Sequence, residues 1–416
     1  MTLWYALRGL VRRDVLIICL VIFCADLVTG ILSPTFSLYA KDLGASLTLI
    51  GILSSIVGLT QLITSMPLSV QSDKSGRKIV LIVGMLSFAV ATFLFAISPN
   101  AYFLIPGRVL IGLGSVSTFS IGVAYVADIV SPSERGLAYG LYATSMGIGF
   151  GVGPLIGAFI ALHYGVAASY LMASGIALIG MVLGFKGLRT IRQTSNTTGI
   201  VPLKLQWRSI RNVIREPRIM AGSLANLIMS TSFSGAIINF FPMYSAQIGL
   251  SQIAINSMFS IRAFGSAAAR LPTGAITHRI SSRIVMGAAL VLAMLAVIAM
   301  AQTETAFVLG ILLLIEGVAF GTFLTSGQAY IAECSTPESR GTAVGAYSTA
   351  GSLGSTLSPV MLGVVAEVWG VQMVFRVTGV LILIGLLGIV GLDLWKLQAK
   401  PIRASNIGDG DSSLGD

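Results

Sequence analysis

The sequence predicts an all-α membrane protein: twelve transmembrane helices in two six-helix halves related by pseudo-twofold symmetry. Three observations predict it: the composition, the spacing of the apolar runs and an internal repeat. Of 416 residues, 55% are hydrophobic and 10% charged, with a mean hydropathy of +0.89. A soluble domain carries about 25% charged residues, so this chain cannot coat a globule in water. A soluble enzyme, a disordered regulator and a coiled coil are excluded. A membrane helix with its loop takes roughly 35 residues, and the length therefore fits about a dozen spans. Lipid leaves backbone groups no partner but the helix itself, short of a closed barrel. A barrel would show strand-length alternation instead of continuous apolar runs.

The spans follow in order. Span 1 (14–40) is too long for a cleavable signal core; it carries Cys19, Cys24 and, well inside, Asp26. Spans 2 (47–70) and 3 (77–98) flank a short basic loop. Span 4 (101–127) contains Arg108, and span 5 (135–162) is rich in glycine around Pro154. Span 6 (166–187) ends the first half, 1–187. The longest polar stretch, 188–218, is the linker, and the second half is 219–396. There span 7 is 219–246 and span 8, with Arg262 and Arg270, is 250–277. Span 9 is 282–302, and span 10 (304–330) holds Glu316. Spans 11 (340–367) and 12 (371–396) precede a tail, 397–416.

The chain repeats itself. Shifted by 205, residues 124–154 fall on 329–359 with 12 of 31 positions identical, Tyr142/Tyr347 and Pro154/Pro359 among them. Pro67/Pro272 and Tyr39/Tyr244 keep the same register. An even number of spans per half gives both halves one topology, related by an axis along the membrane normal. Substrate is then expected near the midplane, between them.

Lys and Arg set the orientation. On the predicted spans, 21 of the 26 fall on one side, the other has only Lys41, and Arg108, Arg262, Arg270 and Arg376 lie within spans. The positive-inside rule makes both termini and the linker cytoplasmic, in a multi-pass protein of the plasma membrane. The net charge of +10 reflects this rule. Spread over many short loops, it does not suggest nucleic acid.

The spans 2–3 loop reads Ser69-Val70-Gln71-Ser72-Asp73-Lys74-Ser75-Gly76-Arg77-Lys78. It resembles the G-x-L-A-D-R-x-G-R-K signature of the major facilitator superfamily, with Ser69 for the first glycine. The second half has Gly274-Ala275-Ile276-Thr277-His278-Arg279 at the same place, with His278 for the acid. Span 4 carries Arg108-x3-Gly112-x-Gly114, similar to a second family element. Span 5 carries Gly140-x8-Gly149-x3-Gly153-Pro154-x2-Gly157-Ala158. That resembles the antiporter signature G-x8-G-x3-G-P-x2-G-G. Asp26-x3-Gly30-x3-Pro34 is similar to first spans of the twelve-span drug:proton antiporters. The resemblance covers roughly residues 14–396. It implies alternating access without a cofactor or metal, on a small-molecule substrate and protons in the lipid bilayer, by a monomer.

Asp26 is expected near midplane, where an ionised carboxylate costs about 3 kcal/mol on insertion scales. It is either a proton or substrate site or a structural hydrogen-bonder. Counting helical rise, Arg108 is about 8 Å nearer the external face than Asp26. Arg108 is expected either to reach Asp26, directly or through water, or to bond backbone carbonyls and pack spans 1 and 4, and the resemblance ties this Arg to proton transfer. Arg262 and Glu316 also fall near midplane, as a second ion pair or second proton site. Arg270 and Arg376 lie closer to span ends and read as snorkelling. Thr29, Tyr142, Asn226, Asn239, Gln328 and Tyr347, with Asp26, are pocket candidates, each open to the alternative of a helix–helix hydrogen bond. By the resemblance, Asp73, Arg77, Asp128 and Arg135 form a latch that holds the outward-open state, the loop acid capping a helix of the opposite half; the alternative is solvated loop charges that serve as topology signals. Gly149, Gly153, Pro154 and Gly157 form a small-residue face, read either as meeting span 8 and sealing one end of the cavity or as ordinary membrane packing.

The sequence shows no P-loop and no catalytic constellation, so neither an enzyme nor an ATP-driven pump is expected. The expectation is a proton-coupled exporter of small hydrophobic or cationic compounds. The alternatives are a metabolite, sugar or lysolipid symporter or uniporter of the same fold, or a transport-dead receptor.

Overall fold

The computed structural model describes residues 13–131, 134–190, 216–277, 279–336 and 339–398. The expected tail from 399, His278 and the central 191–215 of the expected linker lie outside the described residues. Among the described residues there is no strand, and the long helices are twelve. They are α1 Arg13–Asp42, α2 Leu47–Ser75, α3 Arg77–Ala96, α4 Ala101–Ile129, α5 Arg135–Tyr164 and α6 Val166–Gly187. After the linker come α7 Pro217–Gln247, α8 Gln252–Thr277, α9 Ser282–Met300, α10 Ala306–Cys334, α11 Arg340–Trp369 and α12 Val371–Gln398. Eleven are apolar and long enough to cross a bilayer. The exception, α8, has 26 residues, ample length at 1.5 Å per residue. Its hydropathy is lowered by Gln252, Asn256, Arg262 and Arg270, and it packs against α5 and α10.

Turn chemistry repeats with the sequence. Gly44 and Gly249 end α1 and α7 in matching turns at φ 86° and 85°, and Gly165 and Gly370 join the last two helices of each half at φ 85° and 86°. Each pair is offset by the same 205, and each position needs the left-handed region that glycine enters without cost. Inside each half the first helix is tied to the end of the third. Tyr39 donates to Phe95 O at 2.9 Å, and Tyr244 donates to Thr303 O at 2.9 Å.

The halves touch through α2 against α11 and α5 against α8. These contacts gather at the end of the bundle remote from the basic loops. There Thr48 N donates to Glu367 Oε2 at 3.2 Å, and Asn256 Nδ2 donates to Pro154 O at 2.9 Å. A Cβ added at Gly51 would lie 2.1 Å from Pro359 O, so only glycine lets α2 and α11 approach so closely. Towards the basic end the helices part: Gly140, Gly274, Gly341 and Gly345 have open space beside them. The outer surface carries exposed Leu20, Phe159, Leu162, Phe185, Leu292 and Ile384, an apolar belt suited to lipid.

Candidate substrate cavity

A cavity of about 320 Å³ lies between the halves, within the size range of small-molecule sites. One stripe of α1 forms a wall: Asp26, Thr29, Ser33 and Phe36 recur at helical spacing. α2 adds Ser54, Gly58 and Gln61, α4 adds Arg108, Ser115 and Phe119, and α5 adds Phe150. The second half contributes Phe233, Ser234 and Asn239 from α7 and Ser355 from α11. Two π-helical segments, Val116–Ser120 and Thr231–Phe240, carry Phe119 and the α7 residues. Such bulges rotate side chains off the regular helical register and recur at functional sites.

Asp26 is 5% exposed. Thr29 Oγ1 donates to Asp26 Oδ1 at 3.3 Å and to its own helix at Asp26 O, 3.0 Å. Asp26 Oδ2 is buried with no hydrogen-bond partner. Backing it is α5, where a Cβ at Gly149 would stand 2.6 Å from Phe23 O and 3.1 Å from Asp26 Cβ. The titratable groups whose charges act on Asp26 include Tyr142 of α5 and Arg270 of α8.

Arg108 lines the same cavity without forming the expected pair with Asp26. Its Nε donates to Leu53 O of α2 at 2.9 Å, and its guanidinium sits 3.9 Å from the Phe36 ring centre. Phe36 is ten residues beyond Asp26 on α1, about 15 Å along the helix. Stacking and the carbonyl hold the cation at that level.

Arg262 and Glu316 do come together. The guanidinium meets the carboxylate twice, Nε to Oε2 at 2.5 Å and a terminal nitrogen to Oε1 at 3.1 Å. The side chains are 2% and 0% exposed. Arg262 also lies 4.5 and 5.0 Å from the ring centres of Phe233 and Phe320, themselves stacked at 4.4 Å. Neither charged residue lines the cavity. The pair stands behind its wall and supports Phe233, which does.

Of the other pocket candidates, Thr29 and Asn239 line the cavity. Asn239 Oδ1 accepts from Ser54 of the opposite half, and its Nδ2 donates to Ser234 O at 2.5 Å. Tyr142, Asn226, Gln328 and Tyr347 do not line it. The tyrosines are duplicated packing elements: each hydroxyl lies against the site of a glycine Cβ, Gly122 for Tyr142 and Gly327 for Tyr347, again 205 apart. Asn226 Nδ2 donates to Tyr347 O at 2.8 Å, tying α7 to α11. Gln328 is exposed near the basic end of α10.

Among the latch candidates, Arg77 pairs with Asp128 across α3 and α4 and lies 3.4 Å from Asp73. Asp73 is half exposed, and this contact is to its own half. The terminal nitrogen of Arg135 donates to Ala127 O at 3.3 Å. In the second half Ser282 Oγ donates to Glu333 Oε1 at 2.5 Å. These positions match Arg77 and Asp128 by the repeat, so the contact is duplicated with serine in place of the cation.

The glycines of α5 divide between two faces. Gly149, Gly153 and Gly157 meet α1: a Cβ at Gly153 would lie 2.7 Å from Leu27 O, and one at Gly157 3.1 Å from Ile31. This corrects the expectation that they meet span 8. The seal on α8 uses the opposite face, Gly147 against Ala267 and Gly151 against Phe264, together with the Pro154 carbonyl.

Sequence reasoning missed Phe36, Ser33, Ser54, Gln61 and Ser355. The signal was the polar stripe on spans 1 and 2 that Asp26 begins. It also set Arg270 aside as a span-end residue.

The profile of the Major Facilitator Superfamily matches residues 18–251 and 222–413. The chain belongs to that superfamily, and so to transporters rather than enzymes. Multidrug resistance protein MdtG of Escherichia fergusonii is 24% identical over 387 residues, 90% of this chain and 93% of that protein. Multidrug resistance protein 2 of Bacillus subtilis is 33% identical over 161 residues, 39% of this chain and 40% of that protein. Among solved structures, a bacterial homolog of the human lysosomal transporter Spinster, inward-facing and unoccupied, superposes with a TM-score of 0.79. It is 15% identical and covers 94% of this chain and 98% of its own.

Proposed function

We propose that the protein exports small hydrophobic or cationic compounds in exchange for protons, by alternating access of its two halves around the cavity. The observation that carries this reading is Asp26: a nearly buried carboxylate in the cavity wall with one oxygen left without a partner. Unsatisfied charge is costly in such a place, and a proton or a cationic substrate relieves it. The remaining lining is aromatic and hydroxylic, suited to amphipathic molecules. Likeness to multidrug resistance proteins supports efflux. With the basic end cytoplasmic, the arrangement described is open to the inside, and protons reaching Asp26 from outside drive the substrate outward.

The test is transport in proteoliposomes under an imposed pH gradient, screened with cationic dyes, neutral amphiphiles and metabolites. Uphill movement of a dye or amphiphile, abolished by collapsing the gradient, is expected. Movement of a metabolite alone, indifferent to the gradient, would replace this reading with facilitated metabolite transport.

A further inference from the structure

We infer that Arg270 of α8 is the counter-ion of Asp26 across the two halves, and that their pairing closes the cytoplasmic side of the cavity. The inference rests on the proposed role of Asp26 as proton carrier and adds the residue that turns protonation into movement.

Two orphaned atoms motivate it. Asp26 Oδ2 and Arg270 Nε are both buried and both lack a hydrogen-bond partner. They belong to opposite halves and carry opposite charge. The α5 helix brings them to one level. A Cβ at Gly149 would stand 3.1 Å from Asp26 Cβ, and one at Gly147 would stand 3.7 Å from Ala267 Cβ. Arg270 is one helical turn beyond Ala267 towards the basic end. Asp26 and Arg270 thus approach the same stretch of α5 from its two sides.

The surrounding charges leave Arg270 the role. Tyr142 of α5 also lies within electrostatic reach of Asp26, but its hydroxyl already faces the carbonyls of Thr118 and Phe119, each at 3.3 Å. Arg108 of α4 is held against Phe36. Arg262 is engaged by Glu316, and its charge reaches Arg270 only as repulsion. Beyond Asp26 towards the basic end the bundles are apart, with open space at Gly140 and Gly274. Rocking them shut swings that end of α8 towards α1, and one contact then satisfies both orphans. An ionised Asp26 holds the contact. A proton taken up from outside on the carboxylate removes the attraction and releases the cytoplasmic side. Loss of that proton to the cytoplasm restores the charge that draws Arg270 back. The order of events gives proton entry coupled to substrate exit.

The experiment places nitroxide labels on cysteines at Ser69 of α2 and Ala275 of α8, with Cys19, Cys24 and Cys334 replaced, in the full chain in lipid nanodiscs. The distance between labels is read in acidic and in alkaline buffer. The parent should gain the long-distance population in acid. Arg270→Gln should show the long distance in both buffers, matching Asp26→Asn, while Arg270→Lys keeps the acid response. A parental response in Arg270→Gln overturns the inference. So does a response that survives in Arg270→Gln but disappears in Arg108→Gln, which assigns the coupling to Arg108. Either result leaves the exporter reading standing if the parent still exchanges substrate for protons in proteoliposomes. A parent with neither acid response nor proton-driven transport overturns both.

Discussion

Asp26 and Glu316 are both intramembrane acids, and the sequence gives no reason to prefer either as the carrier of a proton. Their surroundings do. Glu316 has both oxygens on Arg262 and no access to the cavity. Asp26 has one oxygen bound by Thr29 and the other free, in the cavity wall. Asp26→Asn should fold, because the amide still meets Thr29, and should retain downhill exchange. It should lose accumulation of substrate against its gradient when only a pH gradient is supplied. Glu316→Gln should instead leave Arg262 without its counter-charge. Breaking one partner of a buried pair costs about 3–5 kcal/mol, so thermal unfolding in detergent should shift down while the surviving protein stays coupled. If Glu316→Gln unfolds like the parent and fails to couple, the carrier is Glu316. The presence of these charges was legible from a single sequence, since each interrupts an apolar run. Their partners were legible only in part: the Arg262–Glu316 pair was expected and forms, whereas the contact of Arg108 with Asp26 does not. Arg108 turns to the Leu53 carbonyl and the Phe36 ring, a choice set by the packing of three helices that no spacing along one of them encodes.

At the scale of the helix, α5 shows how a small-residue motif serves two neighbours. Gly149, Gly153 and Gly157 recur every four residues on one face, towards α1, while Gly147 and Gly151 sit two residues out of phase on the face towards α8. The motif was plain in the sequence, but its partner helix was misread, because a glycine stripe does not say which neighbour it admits. The contrast predicts different outcomes for one substitution. Gly153→Ala would place a methyl 2.7 Å from Leu27 O and 2.8 Å from the Gly30 Cα, where backbone must shift. It should lower both yield and unfolding temperature. Gly140→Ala meets nothing within 4 Å in this conformation and should unfold like the parent, as thermal denaturation of the two purified variants would tell. The α3–α4 corner tests a second element. Arg77→Ala leaves Asp128 without that cation, and transport initial rates should fall while substrate affinity holds. Asp73→Asn should act in the same direction and more weakly, since Asp73 is half exposed and 3.4 Å from Arg77. Parental rates in both variants would reduce these charges to topology signals.

The whole molecule is a duplicated scaffold bearing an unduplicated site. Paired turns at Gly44/Gly249 and Gly165/Gly370, paired tyrosine anchors and the Arg77–Asp128 and Ser282–Glu333 contacts all obey the offset of 205. For that reason the fold was legible from an ungapped repeat and a count of apolar runs. The two charges that line the cavity break the repeat, Asp26 corresponding to Thr231 and Arg108 to Leu313, and so does Arg270 outside the lining, which corresponds to Ser65. The proposed coupling residues are therefore ones about which the repeat is silent. The direction of transport depends further on which end faces the cytoplasm. The basic loops are proposed to face the cytoplasm, and the halves are closed at the opposite end by Thr48–Glu367 and Asn256–Pro154. Single cysteines at Thr190 and Ser251, both exposed at opposite ends, should divide cleanly under an impermeant thiol reagent in a cysteine-free background. Intact cells should label position 251, and inside-out vesicles position 190. A third cysteine at Gln61, in the cavity wall, should follow position 190, because the seal lies between it and the outside. Labelling of 190 from outside would invert the assignment: the cavity described would then open outward, and Asp26 would meet its proton directly from the external medium. Labelling of 61 from both sides, with 190 and 251 as expected, would keep the orientation and mean instead that the α2–α11 and α5–α8 seal opens readily in the membrane.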